Sequence, residues 1–365
     1  LRAIRWAKAL EREKTAMSSP LAGKTETVRR DSVESDPKSG KKSKFQWWQV
    51  LSVKRISAVY LAILLFAYFT YRLPDLFLRY DTWTTMLGQQ SITIIVALGV
   101  LIPVTAGVFD MSVAYTMGLT STVMAILMVK HDMSWVTAAL VVILIGVALG
   151  ILNGLIITYF KVSSLIATLG TGTVIGSIDF ALSGGSSFPI RDANFLGIGV
   201  GSLFGIAWPV YIALALAIVA WFFLEHAAVG RRTYAIGGGI QAARLAGVPV
   251  RKYIMTTLVL SSVLGAIAGI LLAARVGANS PGVAASFLLP GFAAVFLGAT
   301  QLKEGRVNAW GTVIAIIALA IGAKGFDLIG VRLWIHDFFY GIALIGAMAM
   351  SVWSKRSTLE PNGAP

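Results

Sequence analysis

Residues 134–158 read SWVTAALVVILIGVALGILNGLIIT, a run without one charged side chain. As an α-helix rising ~1.5 Å per residue, it is long enough to cross the ~30 Å hydrocarbon core of a bilayer. Its apolar residues form an unbroken run, not the single stripe of a soluble amphipathic helix. Backbone polar groups cannot go unpaired in lipid, so the run must be helical; a membrane barrel would need short alternating segments instead. Similar runs recur on both sides. The hydrophobic segments are 56–72, 86–107, 111–129, 134–158, 162–182, 208–224, 253–275, 283–299, 307–325 and 335–353. The expectation is an all-α polytopic membrane helical bundle of about ten transmembrane helices, residues 56–353. Segments 86–107 and 111–129 are only a few residues apart, and 162–182 and 283–299 are interrupted by Gly or Pro. Some of these are expected to be broken or re-entrant.

Composition points the same way. Of 365 residues 56% are apolar and 13% charged, roughly half the charge of a soluble domain. The chain has no cysteine, which excludes disulfides, zinc–thiolate sites and thiol nucleophiles. Its three histidines, His131, His226 and His336, are far apart in sequence and argue against a histidine metal site. No catalytic residue, metal ligand or cofactor is expected. The net charge of +14 is not a nucleic-acid footprint: 14 of 31 Lys and Arg precede residue 56, and five lie between Arg231 and Lys252. Basic residues beside hydrophobic runs orient a membrane protein, holding those loops in the cytoplasm.

Residues 1–55 read as a disordered basic cytoplasmic extension without a cleavable signal peptide, ending at the aromatic anchor Phe45-Gln-Trp-Trp48. Met17 offers an alternative start of translation. Within the extension, Ser18 to Thr25 ends like a phosphate-binding loop, but it lacks the first glycine, the preceding strand and the following helix. Ten spans starting inside return the tail, 354–365, to the cytoplasm, where Lys355 and Arg356 sit. They also put loop 225–252 inside and loops 73–85, 183–207 and 326–334 outside. Glycines at Gly146/Gly150/Gly154, Gly170/Gly172/Gly176 and Gly265/Gly269 have the spacing of close helix packing.

Loop 225–252 holds a second signal. Ile240 to Ala246 has helix-forming composition between Gly239 and Gly247. Two turns or fewer are too short to be stable alone. The small residues Ala242, Ala243 and Ala246 around Leu245 form a narrow knob suited to a groove on a partner protein.

This loop resembles the coupling helix of ribose-type sugar permeases of ATP-binding-cassette (ABC) importers, whose pattern is Y-A-I-G-G-N-x-E-A-A-R-L-S/A-G-I. Here Tyr234 to Val248 reads YAIGGGIQAARLAGV, with Gly239 for the usual Asn and Gln241 for the usual Glu. Three further stretches match in the same order: Ala106 to Val113 (AGVFDMSV); Asn153-Gly154 with Ile166-Ala-Thr-Leu-Gly170 and Ser183-Gly-Gly185; and Ala293 to Thr300 with Gly305-Arg306. The resemblance covers residues 55–353. It implies a permease subunit for a small polar solute of the monosaccharide class, in a bacterial inner membrane. The implied partners are ABC ATPase subunits, an extracytoplasmic solute-binding protein received near 183–208, and a second permease copy. ATP would be hydrolysed by the partner. The implied docking residues are Gly238, Gly239, Gln241, Ala242, Ala243, Arg244, Leu245, Ala246 and Gly247.

Candidates for the pathway or a helix break are Asp110, Ser112, Asn153, Thr168 and Asp179. Asp110 can cap the helix of segment 111–129, supplemented by Ser112, or meet the solute; a broken helix end does both. Asp179 stands where the family has a small or apolar residue, and could face the pore, pair with Arg275 or Lys324, or hold a cation. Rival readings are an importer of branched-chain amino acids or nucleosides, and an ion-coupled secondary transporter using both acids.

Overall fold

The computed structural model describes residues 57–299, 305–332 and 334–359. The expected N-terminal extension, its aromatic anchor, the phosphate-loop look-alike and the last six residues lie outside them. Among the described residues there are fourteen helices: α1 Ser57–Arg72, α2 Pro74–Phe77, α3 Tyr80–Thr105, α4 Val113–Lys130, α5 Trp135–Thr158, α6 Ser164–Ser183, α7 Ala193–Val200, α8 Trp208–Glu225, α9 Ala228–Gly238, α10 Ile240–Leu245, α11 Val250–Val276, α12 Ala284–Gly298, α13 Ala309–Ile329 and α14 Trp334–Leu359. A hairpin of two short strands, β1 Ser202–Leu203 and β2 Ile206–Ala207, joins α7 to α8. Each of the ten expected segments coincides with a helix. Seven (α3, α4, α5, α6, α8, α11 and α13) are long and apolar enough to cross a membrane. The other three, α1, α12 and the apolar part of α14, are shorter. The fold is an all-α polytopic membrane bundle.

Two of the expected interruptions do not occur. Segment 162–182 is the continuous helix α6, and 283–299 is α12, continuous through Pro290. Gly172 and Gly176 do not break α6; they make room for a ring, since a Cβ at either would meet Tyr115 of α4 at 2.7 and 3.0 Å. Pro290 removes one backbone donor without ending its helix, as membrane helices tolerate. The interruption that does occur is the turn 106–112 between α3 and α4. Gly107 adopts φ +74 there, a conformation that favours glycine.

α3 and α11 are the central helices, each burying 72% of its apolar window, while α5, α6 and α8 bury 28%. The latter three therefore present most of their apolar surface outward, as a lipid-facing helix must. α11 packs on α5, α4 and α3, and small residues set the approach. A Cβ on Gly150 would lie 2.5 Å from Val259 Cα, one on Gly146 2.9 Å from the Ala266 side chain, and one on Gly265 2.7 Å from the Val113 carbonyl. Gly170 is different: an added Cβ there would meet nothing within 4 Å. On its other side α3 meets α8 and α12, and α12 also packs against α13 and α14.

The connection 183–207 is anchored to the end of α11. Ile190 donates its N–H to the Gly277 carbonyl at 2.8 Å, and the buried Asn279 side chain accepts from Phe188 N–H at 2.6 Å and donates to the Ser186 carbonyl at 3.1 Å. Asp192 caps α7 by accepting from Phe195 N–H at 2.9 Å.

Candidate functional site

Chain connectivity brings the C-terminal ends of α3 and α5, the N-terminal ends of α4 and α6, and α9–α10 to one end of the bundle. Four of the five pathway or helix-break candidates meet there, three of them in a directional hydrogen-bond chain and Thr168 beside it on the same turn. Thr171 Oγ1 donates to Asn153 Oδ1 at 2.7 Å, Asn153 Nδ2 donates to Ser112 Oγ at 2.8 Å, and Ser112 Oγ donates to Asp110 Oδ1 at 2.6 Å. The same Asp110 oxygen accepts Ser112 N–H at 2.9 Å. Asp110 thus caps the residue preceding α4, not the first helical turn itself. Thr168 Oγ1 accepts Met111 N–H at 3.1 Å, and Ser164 Oγ accepts Phe109 N–H at 3.2 Å. Asp110, Ser112, Asn153 and Thr168 are all fully buried. The network fixes the turn 106–112 to α5 and α6.

Loop 225–252 is not irregular: it folds into α9 and α10. α10 spans Ile240–Leu245, one residue short of the expected end. Val248 N–H reaches the Ala243 carbonyl and Gly247 N–H the Arg244 carbonyl, both at 3.0 Å, with Gly247 at φ +77. This pairing is the Schellman motif that ends a helix at a left-handed glycine. Ala243 is buried; Gln241, Ala242, Arg244 and Ala246 are exposed, and Leu245 is 90% exposed. Almost none of the Leu245 side chain is therefore packed against the described residues.

The inner side of this hairpin is seated on the 106–112 turn. Ala106 and Val108 cluster with Ile236 of α9, Ala243 of α10 and Val250, Ile254 and Leu258 of α11. Gly237 comes so close to α3 that a Cβ there would run into the Thr105 carbonyl. Tyr234 ties α9 to the segment before α13: its hydroxyl donates to the Val307 carbonyl at 2.8 Å, and Arg306 stacks 3.6 Å over its ring. Burial pushes the Tyr234 hydroxyl up to about 12, with Arg306 opposing, so it remains a donor at any physiological pH. Arg306 also stands 3.7 Å from Glu225 at the end of α8.

Three cavities lie in series along α12. One, of about 560 Å³, is bordered by Thr105, Arg231, Tyr234, Phe296 and Arg306 at the α9–α10 end. The next, about 510 Å³ and almost wholly apolar, shares Phe296 and adds Phe109, Met111, Tyr115 and Phe292. Its rings form a chain, Phe109 to Phe296 at 6.2 Å and Phe296 to Phe292 at 6.4 Å. The third, about 420 Å³, shares Tyr115 and Ala285 and holds Asp179. Asp179 is therefore separate from the other four candidates, eleven residues further along α6, or ~16 Å by helical rise. Neither Arg275 nor Lys324 pairs with it; its Oδ2 accepts Gly282 N–H at 3.2 Å. The ring-lined middle cavity and the Arg306–Tyr234 stack were not expected from sequence. The signal for Tyr115 was the pair of glycines on α6 that face it.

The sequence profile of a family described as branched-chain amino acid transport system / permease component matches residues 83–348. Over 262 residues the chain is 31% identical to the ribose import permease protein of Haemophilus influenzae, covering 71% of this chain and 80% of that one. It is 30% identical over 275 residues to the L-arabinose transport system permease protein of Escherichia coli, covering 73% and 81%. To the D-allose transport system permease protein of Escherichia coli it is 27% identical over 277 residues, covering 76% and 85%. No solved structure matches.

Proposed function

This chain belongs to the branched-chain amino acid transport system permease component family, and from that premise we propose that it is the membrane-spanning subunit of an ATP-driven importer of a monosaccharide. The sugar assignment is supported by the ribose, L-arabinose and D-allose systems in which its relatives are named as permeases. The observation that carries the ATP-driven reading is α10, which offers Leu245 at 90% exposure on a helix seated upon the turn 106–112.

In this reading the chain lies in a bacterial inner membrane with both termini and α9–α10 in the cytoplasm, as the basic residues between Arg231 and Lys252 favour. An ATPase subunit grips Gly238 to Gly247, with Leu245 as the central anchor. Closure of two such ATPases on ATP moves α9 and α10, and the rigid seat of Ile236 and Gly237 passes that movement to the 106–112 turn. Phe109 and Met111 on the turn border the apolar cavity, so the movement reaches the pathway directly. The three cavities form the route, and the Phe109–Phe296–Phe292 rings its constriction. A second permease copy completes the far wall, and a solute-binding protein docks on the anchored 183–207 segment. Asp110, with Ser112, Asn153 and Thr168, holds the turn as one body; it is not itself the solute contact.

Since the chain contains no cysteine, Leu245→Cys gives a unique label. Expressed with its ATPase, that variant is expected to cross-link to the ATPase, and Leu245→Asp to abolish ATP-dependent sugar uptake while the permease stays in the membrane. Uptake driven by an ion gradient without ATP, unaffected by Leu245→Asp, would overturn the reading.

A further inference from the structure

Asp179 is a buried acid that the fold leaves half satisfied. The residue is 2% exposed, its Oδ2 accepts only Gly282 N–H, and its Oδ1 has no hydrogen-bond partner among the described residues. A buried carboxylate oxygen without a donor is destabilising unless something fills its place. The carboxylate borders the 420 Å³ cavity, within the ~300–1,000 Å³ of small-molecule sites. Beside the Tyr115 hydroxyl, which can donate or accept, the two aliphatic hydroxyls of that cavity are left as acceptors. Thr173 Oγ1 spends its proton on the Leu169 carbonyl at 2.9 Å, and Ser177 Oγ spends its own on the Thr173 carbonyl at 2.9 Å, which leaves only lone pairs to offer. The rings of Tyr115 and Phe180 supply apolar faces.

From this arrangement we infer that the Asp179 cavity is a solute-binding site of the permease itself, taking a neutral polyhydroxylated ring whose hydroxyls donate to Asp179 Oδ1. Acceptors beside aromatic faces match a sugar, which presents hydroxyl donors at its edge and C–H groups on its faces. The choice of a neutral sugar over a cation rests on the proposed function. Asp179 then favours hydroxyl-bearing solutes at one end of the cavity series, before the apolar constriction.

The chemistry of Asn at this position makes a sharp test. Gly282 N–H requires an oxygen opposite it, so Asp179→Asn keeps its carbonyl there and turns its NH2 toward the cavity, replacing the acceptor by a donor. The experiment measures the thermal unfolding midpoint of the purified full chain against D-ribose, D-allose, L-arabinose and, as the rival chemistry, agmatine. Wild type, Asp179→Asn and Asp179→Leu are compared, with Thr173→Val as a second probe of the cavity. Variants whose unliganded midpoints match wild type are scored. At least one sugar is expected to raise the wild-type midpoint, with half-saturation weakened about tenfold or more in Asp179→Asn and in Asp179→Leu, as loss of a charge-assisted hydrogen bond implies. Stabilisation by agmatine alone, by no sugar, or equally in wild type and the Asp179 variants overturns the inference. Failure of the importer reading is a separate result, read from ATP dependence and Leu245 cross-linking, neither of which needs Asp179.

Discussion

Asn153 shows how much direction a single side chain can impose. Ser112 spends its only proton on Asp110, so it can only accept from position 153, while Thr171 donates to the other end of that amide. Asn is the residue that serves both needs, one end donating and the other accepting. Asn153→Ala leaves the Thr171 hydroxyl only its longer contact with the Thr168 carbonyl at 3.4 Å and removes the donor to Ser112, at an expected cost of ~1–3 kcal/mol. Asn153→Asp should be worse near neutral pH, because it removes the donor and adds a second carboxylate to the buried chain that ends at Asp110. Unfolding midpoints of the purified variants would check the order. If Asn153→Asp proves as stable as wild type, the direction assigned to the chain is wrong.

At the scale of elements, helix existence was readable and helix neighbours were only partly so. The bilayer demands ~20 apolar residues per crossing, so the ten segments stood out from composition alone. The short elements α2, α7, α9 and the β1–β2 hairpin escaped, because they are held by docking that no local pattern encodes: Gly199 of α7 lies hard against the Ala274 backbone, and Gly237 against Thr105. Of the site, the α10 knob and the Asp110 turn were visible as motifs. The cavity series was not, since Phe109, Tyr115, Phe292 and Phe296 come from three parts of the chain. Glycine spacing likewise marked small faces without distinguishing packed from open ones. The structure separates them: Gly150→Ala forces a Cβ to 2.5 Å from Val259 Cα, whereas Gly170→Ala enters open space. Gly150→Ala is expected to destabilise by ~1–3 kcal/mol, and Gly170→Ala to be neutral or stabilising by up to ~1 kcal/mol. Equal stabilities of the two variants would contradict the α5–α11 packing.

For the whole molecule, the question is whether an event at α10 can reach the cavities without passing through flexible chain. The path has two rigid joints. One is the apolar seat that joins Ile236 and Ala243 to Ala106 and Val108; the other is the hydrogen-bonded turn that carries Phe109 and Met111 into the cavity wall. Adjacent glycines of α9 allow the first joint to be tested apart from docking. Gly237→Ala drives a Cβ into the Thr105 carbonyl and must shift α9 off α3, while Gly238→Ala meets nothing within 4 Å. In the assembled importer, Gly237→Ala should still cross-link to the ATPase through Leu245→Cys and still hydrolyse ATP. Its uptake per ATP should fall about tenfold, equivalent to ~1.4 kcal/mol of lost coupling. Gly238→Ala lies at the edge of the docking segment, so any loss there should fall on cross-linking and hydrolysis together and leave uptake per ATP unchanged. Equal losses of uptake per ATP in both variants would mean that the contact of Gly237 with Thr105 is not the joint; unchanged uptake in Gly237→Ala would remove the 106–112 turn from the route, leaving the Tyr234–Arg306 link to the segment before α13 as the remaining rigid connection.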